Sequence, residues 1–208
     1  MSDADSDSDL TVFVVDDDHD IREALERSLG KRGFSVETYP SAAAFLAGYT
    51  PGRGGCLVLD YGMPGMNGLE LQEHLSGADH PIPIIFITGH GGIPESVRAM
   101  KLGAIDFLEK PFRQVELIER IELAFEMAAR QLADQRARAE TLARLERLTA
   151  REREIVDWIV QNPSEASSKE IGRQLDISPR TVDHHRARIM EKLQIKSIAE
   201  LISLHKAL

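Results

Sequence analysis

Cys56–Leu57–Val58–Leu59–Asp60–Tyr61–Gly62–Met63–Pro64 decides how this chain is read. Its apolar run lacks polar alternation and predicts a strand covered on both faces. Gly54–Gly55 bound it before, and the turn-forming Gly62, Pro64 and Gly65 bound it after. Such a strand delivers Asp60 to the carboxyl edge of a parallel sheet, where open α/β folds keep their ligand sites. Taken alone, Asp60 is equally well explained as a loop cap.

The residues on either side decide between the two. Thr11–Val15 is a β-rich run that stops at Asp16–Asp17–Asp18, and Ile21, Leu25 and Leu29 then recur at helical spacing up to Gly30 and Gly33. Phe34–Tyr39 predicts a second strand, and Ser41 caps a short helix. After the Asp60 strand come a helix over 68–76, a strand over Ile82–Thr88, a helix begun by Pro94, a short strand over Asp106–Glu109 ending at Lys110–Pro111, and a helix from Gln114. Five β–α units in succession predict a parallel sheet with helices on both faces. Their strand ends bring Asp16, Asp17, Asp60, Thr88 and Lys110 to one edge, a convergence that capping does not explain.

Crowded carboxylates resist ionising unless a cation joins them. Oxygen ligands without His or Cys favour Mg²⁺. Asp60 is then the nucleophile for phosphoryl transfer, Lys110 and the divalent ion offset charge on the phosphoryl oxygens, and the Thr88 hydroxyl donates to one of them. Asp18 and Asp20 suit a helix N-terminus. His90, alone in a Gly-rich loop, reads as a surface residue rather than a catalytic one. An aspartate-nucleophile phosphohydrolase fits poorly, because the fifth residue counted from Asp16 is Asp20 where Thr or Val is wanted.

Residues 10–125 resemble a receiver domain of two-component response regulators, with a flavodoxin-like α/β (βα)5 fold. The matching pieces are Val14–Val15–Asp16–Asp17, Leu57–Gly68, Ile87–Gly91 and Phe107–Phe112. The resemblance implies Asp60 as phosphoacceptor from a sensor histidine kinase, and Mg²⁺ held by Asp16, Asp17, Asp60 and the Gly62 backbone carbonyl. It also implies Thr88 and Phe107 as switch residues, Lys110 at the phosphate, and a cis Lys110–Pro111 bond. Val97, Arg98, Lys101 and Asp106 lie where relatives dimerise.

From Gln114 to Leu148 there is neither Gly nor Pro. Ile118, Ile121, Phe125, Ala128, Leu132, Gln135, Ala139 and Leu142 are spaced by three and four, which is a heptad seam. Its first part packs on the sheet. Beyond Ala128 two readings stand: a parallel coiled coil between two copies, or a solvated single helix.

Thr149–Ala150–Arg151–Glu152 is a capping box that starts a helix ending near Pro163. Ser167 or Ser168 caps the next, Asp176–Ile177 turns, and Ser178 with Pro179 begins a helix to Leu193. Two short helices joined by so brief a turn form a helix-turn-helix, whose second helix enters the DNA major groove. Arg180, Arg186, Arg188, Lys192 and Lys196 are placed to reach phosphates, with Thr181 at the helix start. Residues 148–204 resemble the LuxR/NarL type of DNA-binding domain, and the whole chain resembles a FixJ-type response regulator. The resemblance implies an all-α DNA-binding domain whose base contacts to double-stranded DNA come from Asp183, His184 and Ala187, beside the Ser178, Arg180, Thr181, Arg186, Arg188 and Lys192 that the helix face itself offers to DNA. It further implies homodimerisation on phosphorylation and RNA polymerase as a partner. The Gln161–Ser168 loop is longer than the family turn. Asp183 is acidic where lysine is common; it would repel phosphates and has an acceptor for a cytosine amino group.

The expected organisation is a disordered acidic tail (1–9), a receiver (10–125), a helical linker (126–147) and a DNA-binding domain (148–208). Formal charge totals −9, with Lys+Arg against Asp+Glu running 8 to 18 over residues 1–112, 7 to 7 over 113–148 and 10 to 9 over 149–208. That leaves room for a basic face only at the C-terminal end. The single cysteine, Cys56, precludes an internal disulfide, no apolar run spans a membrane, and the N-terminus lacks a secretion signal, so the expected compartment is the cytoplasm.

Overall fold

The computed structural model describes residues 10–77, 82–89 and 93–206. The acidic tail and His90 lie outside that set. Five strands, β1 (Thr11–Val15), β2 (Ser35–Tyr39), β3 (Gly55–Asp60), β4 (Ile84–Thr88) and β5 (Asp106–Glu109), form one parallel sheet in the order β2-β1-β3-β4-β5. Helices α1 (His19–Gly30), α2 (Ala42–Gly48), α3 (Gly68–Leu75), α4 (Ile93–Lys101) and α5 (Gln114–Glu146) connect and follow them.

Side chains of β3 alternate between two cores, as the pleat requires. Cys56 and Val58 join Val12, Val14, Leu29, Leu117 and Ile121 beneath α1 and α5. Leu57 and Leu59 join Phe13, Phe45, Leu71 and Phe86 beneath α2, α3 and α4. Both sets are fully buried, which accounts for a strand without polar alternation. The chain order reverses between β1 and β3, and at such a switch point the strand ends diverge and leave a crevice. Asp16 follows β1 and Asp60 ends β3, so the sheet topology itself puts the two carboxylates at the crevice.

Helix starts follow the capping chemistry of the sequence. Asp18 caps α1 by accepting from the amides of Asp20 and Ile21, Ser41 caps α2, and Asn67 with Glu70 forms a capping box on α3.

The seam of α5 needs a correction beyond Ala128. Leu132 is half-buried against the sheet core, beside Leu10 and Gly54, so the receiver body itself covers it. Only Gln135, Ala139 and Leu142 remain of the seam, and Leu142 is 52% exposed. The chain divides into two compact units at Ala133/Asp134, inside α5.

The C-terminal unit contains α6 (Ala150–Gln161), a 3₁₀ turn (Pro163–Glu165), α7 (Ser168–Gln174), α8 (Pro179–Leu193) and α9 (Ile198–Lys206). Its core gathers Ile155, Val156, Ile159, Ile171, Val182, Ile189, Leu193 and Leu201, with Leu145 and Leu148 leading in from the end of α5. Capping boxes at Thr149–Glu152 and Ser167–Glu170 start α6 and α7, and Ser178 caps α8 with Pro179 at its first position. The long loop after α6 is thus occupied by a 3₁₀ turn, held where Trp158 Nε1 donates to the Glu165 carbonyl at 3.4 Å.

Candidate functional site

At the carboxyl edge of the sheet, Lys110 Nζ lies 2.7 Å from Asp60 Oδ1 and 2.7 Å from Asp16 Oδ2. Both carboxylates are buried and the lysine is about one-fifth exposed. The second oxygen of each is also engaged: Asp60 Oδ2 accepts from the Gly62 amide at 2.8 Å, and Asp16 Oδ1 from the Asp18 amide at 2.9 Å. Burial pushes the Asp16 carboxyl above its ordinary value, and the ammonium and amide bonds offset only part of that. Burial works against the Lys110 charge, but the hydrogen bonds its ammonium donates to both carboxylates raise it above the ordinary lysine value.

Neighbouring backbone fixes this geometry. The Lys110 amide donates to the Thr88 carbonyl at 2.7 Å, tying β5's end to β4's, and the Lys110–Pro111 bond is cis. Thr88 itself is buried. A Cβ on Gly68 would sit 2.5 Å from the Asp60 carbonyl oxygen, so only glycine lets the start of α3 press against the strand that carries Asp60. Phe107 is half-buried in a ring cluster, 6.1 Å from Tyr61 and 5.9 Å from Phe86 between centroids. One contact escaped sequence reading: Arg22 Nη1 donates to the Asp16 carbonyl at 2.7 Å, from α1 across the β1–α1 loop. An arginine in a first turn carries no motif that would announce it.

Asp17 is exposed beside this pair, and among the described residues no three His, Cys, Asp or Glu side chains are gathered as a metal cage. The donor set nonetheless suits a hard divalent ion. Asp16, Asp17 and Asp60 bring three negative charges against the one ammonium of Lys110, and the excess is what such an ion neutralises.

On the expected dimer face, Val97 and Lys101 are exposed, Arg98 pairs with Glu73 at 2.6 Å, and Asp106 pairs with Arg120 of α5. Phe125, the first of the expected seam residues Phe125, Leu132 and Leu142, is buried in the receiver core edge-on against Phe34.

In the C-terminal unit, α7 and α8 pack as a helix-turn-helix. A Cβ on Gly172 would stand 2.7 Å from the Ile177 carbonyl oxygen, and the Ile177 amide donates back to the Gly172 carbonyl at 3.0 Å. The outward strip of α8 carries Arg180, Thr181, Asp183, His184, Ala187 and Arg188, all exposed, and Ser178 is exposed at its cap. Two expected phosphate contacts are turned inward instead. Lys192 Nζ pairs at 2.5 Å with Glu152, which is 1% exposed, and Arg186 Nη1 donates to Ser168 Oγ at 3.0 Å and to the Ala166 carbonyl at 3.3 Å. Burial pushes Glu152 up, but the Lys192 ammonium and the Thr149 amide and hydroxyl bring it below the ordinary glutamate value.

Comparison with known proteins agrees with both halves. Residues 12–122 match the response regulator receiver domain family, and residues 146–205 match the bacterial regulatory proteins of the luxR family. The transcriptional regulatory protein FixJ of Rhizobium meliloti (strain 1021) is 43% identical over 197 residues, 95% of each chain. The response regulator protein TodT of Pseudomonas putida (strain F1) is 38% identical over 203 residues, 98% of this chain and 88% of TodT. Among solved structures, the response regulator StyR superposes with a TM-score of 0.83 at 42% identity, covering 96% of this chain and all of StyR. Full-length FixJ from B. japonicum gives 0.55 at 38% identity, covering 95% and 96%. This chain belongs to the FixJ-type two-component response regulators, transcription regulators that join a receiver domain to a LuxR-type DNA-binding domain.

Proposed function

We propose that a sensor histidine kinase phosphorylates this regulator on Asp60, and that phosphorylation drives dimerisation and sequence-specific DNA binding. The observation that carries the reading is Lys110 held between Asp60 and Asp16 at the switch point of the sheet. An Asp60 oxygen attacks phosphorus in line as the donor's P–N bond breaks, and the product is an aspartyl phosphate. Lys110 is already placed to follow the charge that develops on the phosphoryl oxygens. The Thr88 hydroxyl, at the end of the adjoining strand, is the natural donor to one of them.

Asp16, Asp17, Asp60 and the Gly62 carbonyl would hold Mg²⁺, which when bound neutralises charge on the incoming phosphoryl group. Thr88 and Phe107 then carry the change along β4 and β5 toward Val97, Arg98, Lys101 and Asp106, the face assigned to dimerisation. Arg120, on α5, already touches that face through Asp106. Pairing two copies sets two α8 helices on successive half-sites of double-stranded DNA. RNA polymerase is the expected downstream partner, and the compartment is the cytoplasm. Among the described residues no helix is long and apolar enough to cross a membrane.

Incubation with Mg²⁺ and a small phosphodonor tests the acceptor. Label is expected on the wild type and absent from Asp60→Asn, with equal labelling overturning the assignment. No turnover of free phosphoesters is expected, since the aspartyl phosphate is the signal rather than an intermediate.

A further inference from the structure

The geometry points to Asp183 as a specificity-determining residue that selects cytosine, with Ser168 and Arg186 as the positioning residues that set its polarity. The inference rests on the reading of α8 as the helix that enters the major groove.

Asp183 is an exposed carboxylate on the outward strip of α8, where every phosphate oxygen would repel it. The structure holds it in place. Ser168 Oγ donates to Asp183 Oδ1 at 2.5 Å, and the same hydroxyl accepts from Arg186 Nη1 at 3.0 Å. A guanidinium can only donate, so the lone pair facing Arg186 is taken and the hydroxyl proton is directed at Asp183. Arg186 is anchored in turn by the Ala166 carbonyl. The chain Ala166–Arg186–Ser168–Asp183 therefore runs in one direction. It commits one carboxylate oxygen to the protein and leaves the other as a fixed acceptor.

A fixed, charged acceptor is selective in the major groove. Cytosine offers its N4 amino group with no acceptor beside it. Adenine offers N6 next to N7, whose lone pair repels the carboxylate, and guanine and thymine present acceptors on the same edge. Cytosine is the base left.

The same polarity makes the idea testable with an isosteric change. In Asp183→Asn the serine hydroxyl still needs an acceptor, so the amide oxygen turns to Ser168 and the NH₂ group faces outward. The variant presents a donor where the wild type presents an acceptor. Full-length protein treated with Mg²⁺ and a phosphodonor would be used to select from a randomised double-stranded DNA pool. The expected result is one cytosine-enriched step per half-site for the wild type. In Asp183→Asn that preference moves to guanine, adenine or thymine, a change of about tenfold or more in relative affinity. Ser168→Ala frees the carboxylate and weakens the cytosine preference while leaving salt-dependent binding to unselected DNA in place. It gives a second readout if Asp183→Asn fails to fold.

Unchanged preferences in the variants, with DNA still selected, would overturn the proposal and leave Asp183 a structural acceptor for Ser168. Selection of no sequence by the wild type would overturn the DNA-reading assignment of α8, and the proposal with it.

Discussion

Lys110 Nζ and Asp60 Oδ1 stand 2.7 Å apart, and the ammonium has Asp16 on its other side. One lysine thus serves two ends. On the proposed function it would stabilise a phosphoryl group arriving on Asp60, and it already offsets part of the carboxylate charge that a divalent ion would neutralise. Lys110→Met is expected to separate these. Phosphoacceptance should fall about a hundredfold, the cost of removing one placed electrostatic donor. Mg²⁺ affinity, followed by calorimetry, should rise, because the carboxylates lose their resident countercharge. A parallel fall in both would show that the lysine only holds the pocket together.

The sheet and its site were legible because each depends on patterns local in sequence. Apolar runs of strand length ending in Asp16, Asp60, Thr88 and Lys110 give both the topology and the edge where they meet. The seam beyond Ala128 was not legible, since periodicity shows that a face is apolar without showing what covers it. The same holds for Arg186 and Lys192. Counted along the sequence they extend a basic strip, yet their acceptors lie far away in sequence, in the loop before α7 and at the start of α6.

Leu132 and Leu142 belong to one heptad pattern but to different environments. Leu132 packs on the receiver core, and Leu142 is 52% exposed. Leu132→Ala should destabilise the receiver by about 1–2 kcal/mol, less than a full core deletion because the side chain is only half-covered. Leu142→Ala should change stability by less than ~0.5 kcal/mol. With Leu132 taken up by the receiver core, we predict that the short remaining seam does not pair two copies, so sedimentation of Leu142→Ala should match the wild type with and without phosphodonor. A lost dimer would restore the paired-linker reading.

Gly172 sits where α7 meets the turn, with an added Cβ only 2.7 Å from the Ile177 carbonyl oxygen. Gly172→Ala should cost about 2 kcal/mol by forcing α7 from the turn. It should also weaken DNA binding, since the spacing of α7 and α8 shifts. Trp158, the sole tryptophan, lies in this unit and reports its unfolding by emission. Gly30→Ala, where an added Cβ meets nothing within 4 Å, is the control and should leave that transition in place.

Glu152 and Lys192 join α6 to α8 through a carboxylate that is 1% exposed. Folding lowers the Glu152 value below its ordinary 4.5. The folded state therefore binds this proton less readily than the unfolded chain does, and the stabilisation is complete above pH 4.5 and lost as pH falls through the folded value. Trp158 emission in urea should show the wild-type midpoint dropping as pH falls below that point, with Glu152→Gln flatter over the same window. Lys192→Met should be more damaging, about 3 kcal/mol at neutral pH, because it leaves the buried carboxylate without its cation. The salt dependence of DNA binding then tests what Lys192 is for. A phosphate contact would reduce the slope by about one on removal. Removing a lysine committed to Glu152 should lower stability and leave the slope of the folded fraction unchanged.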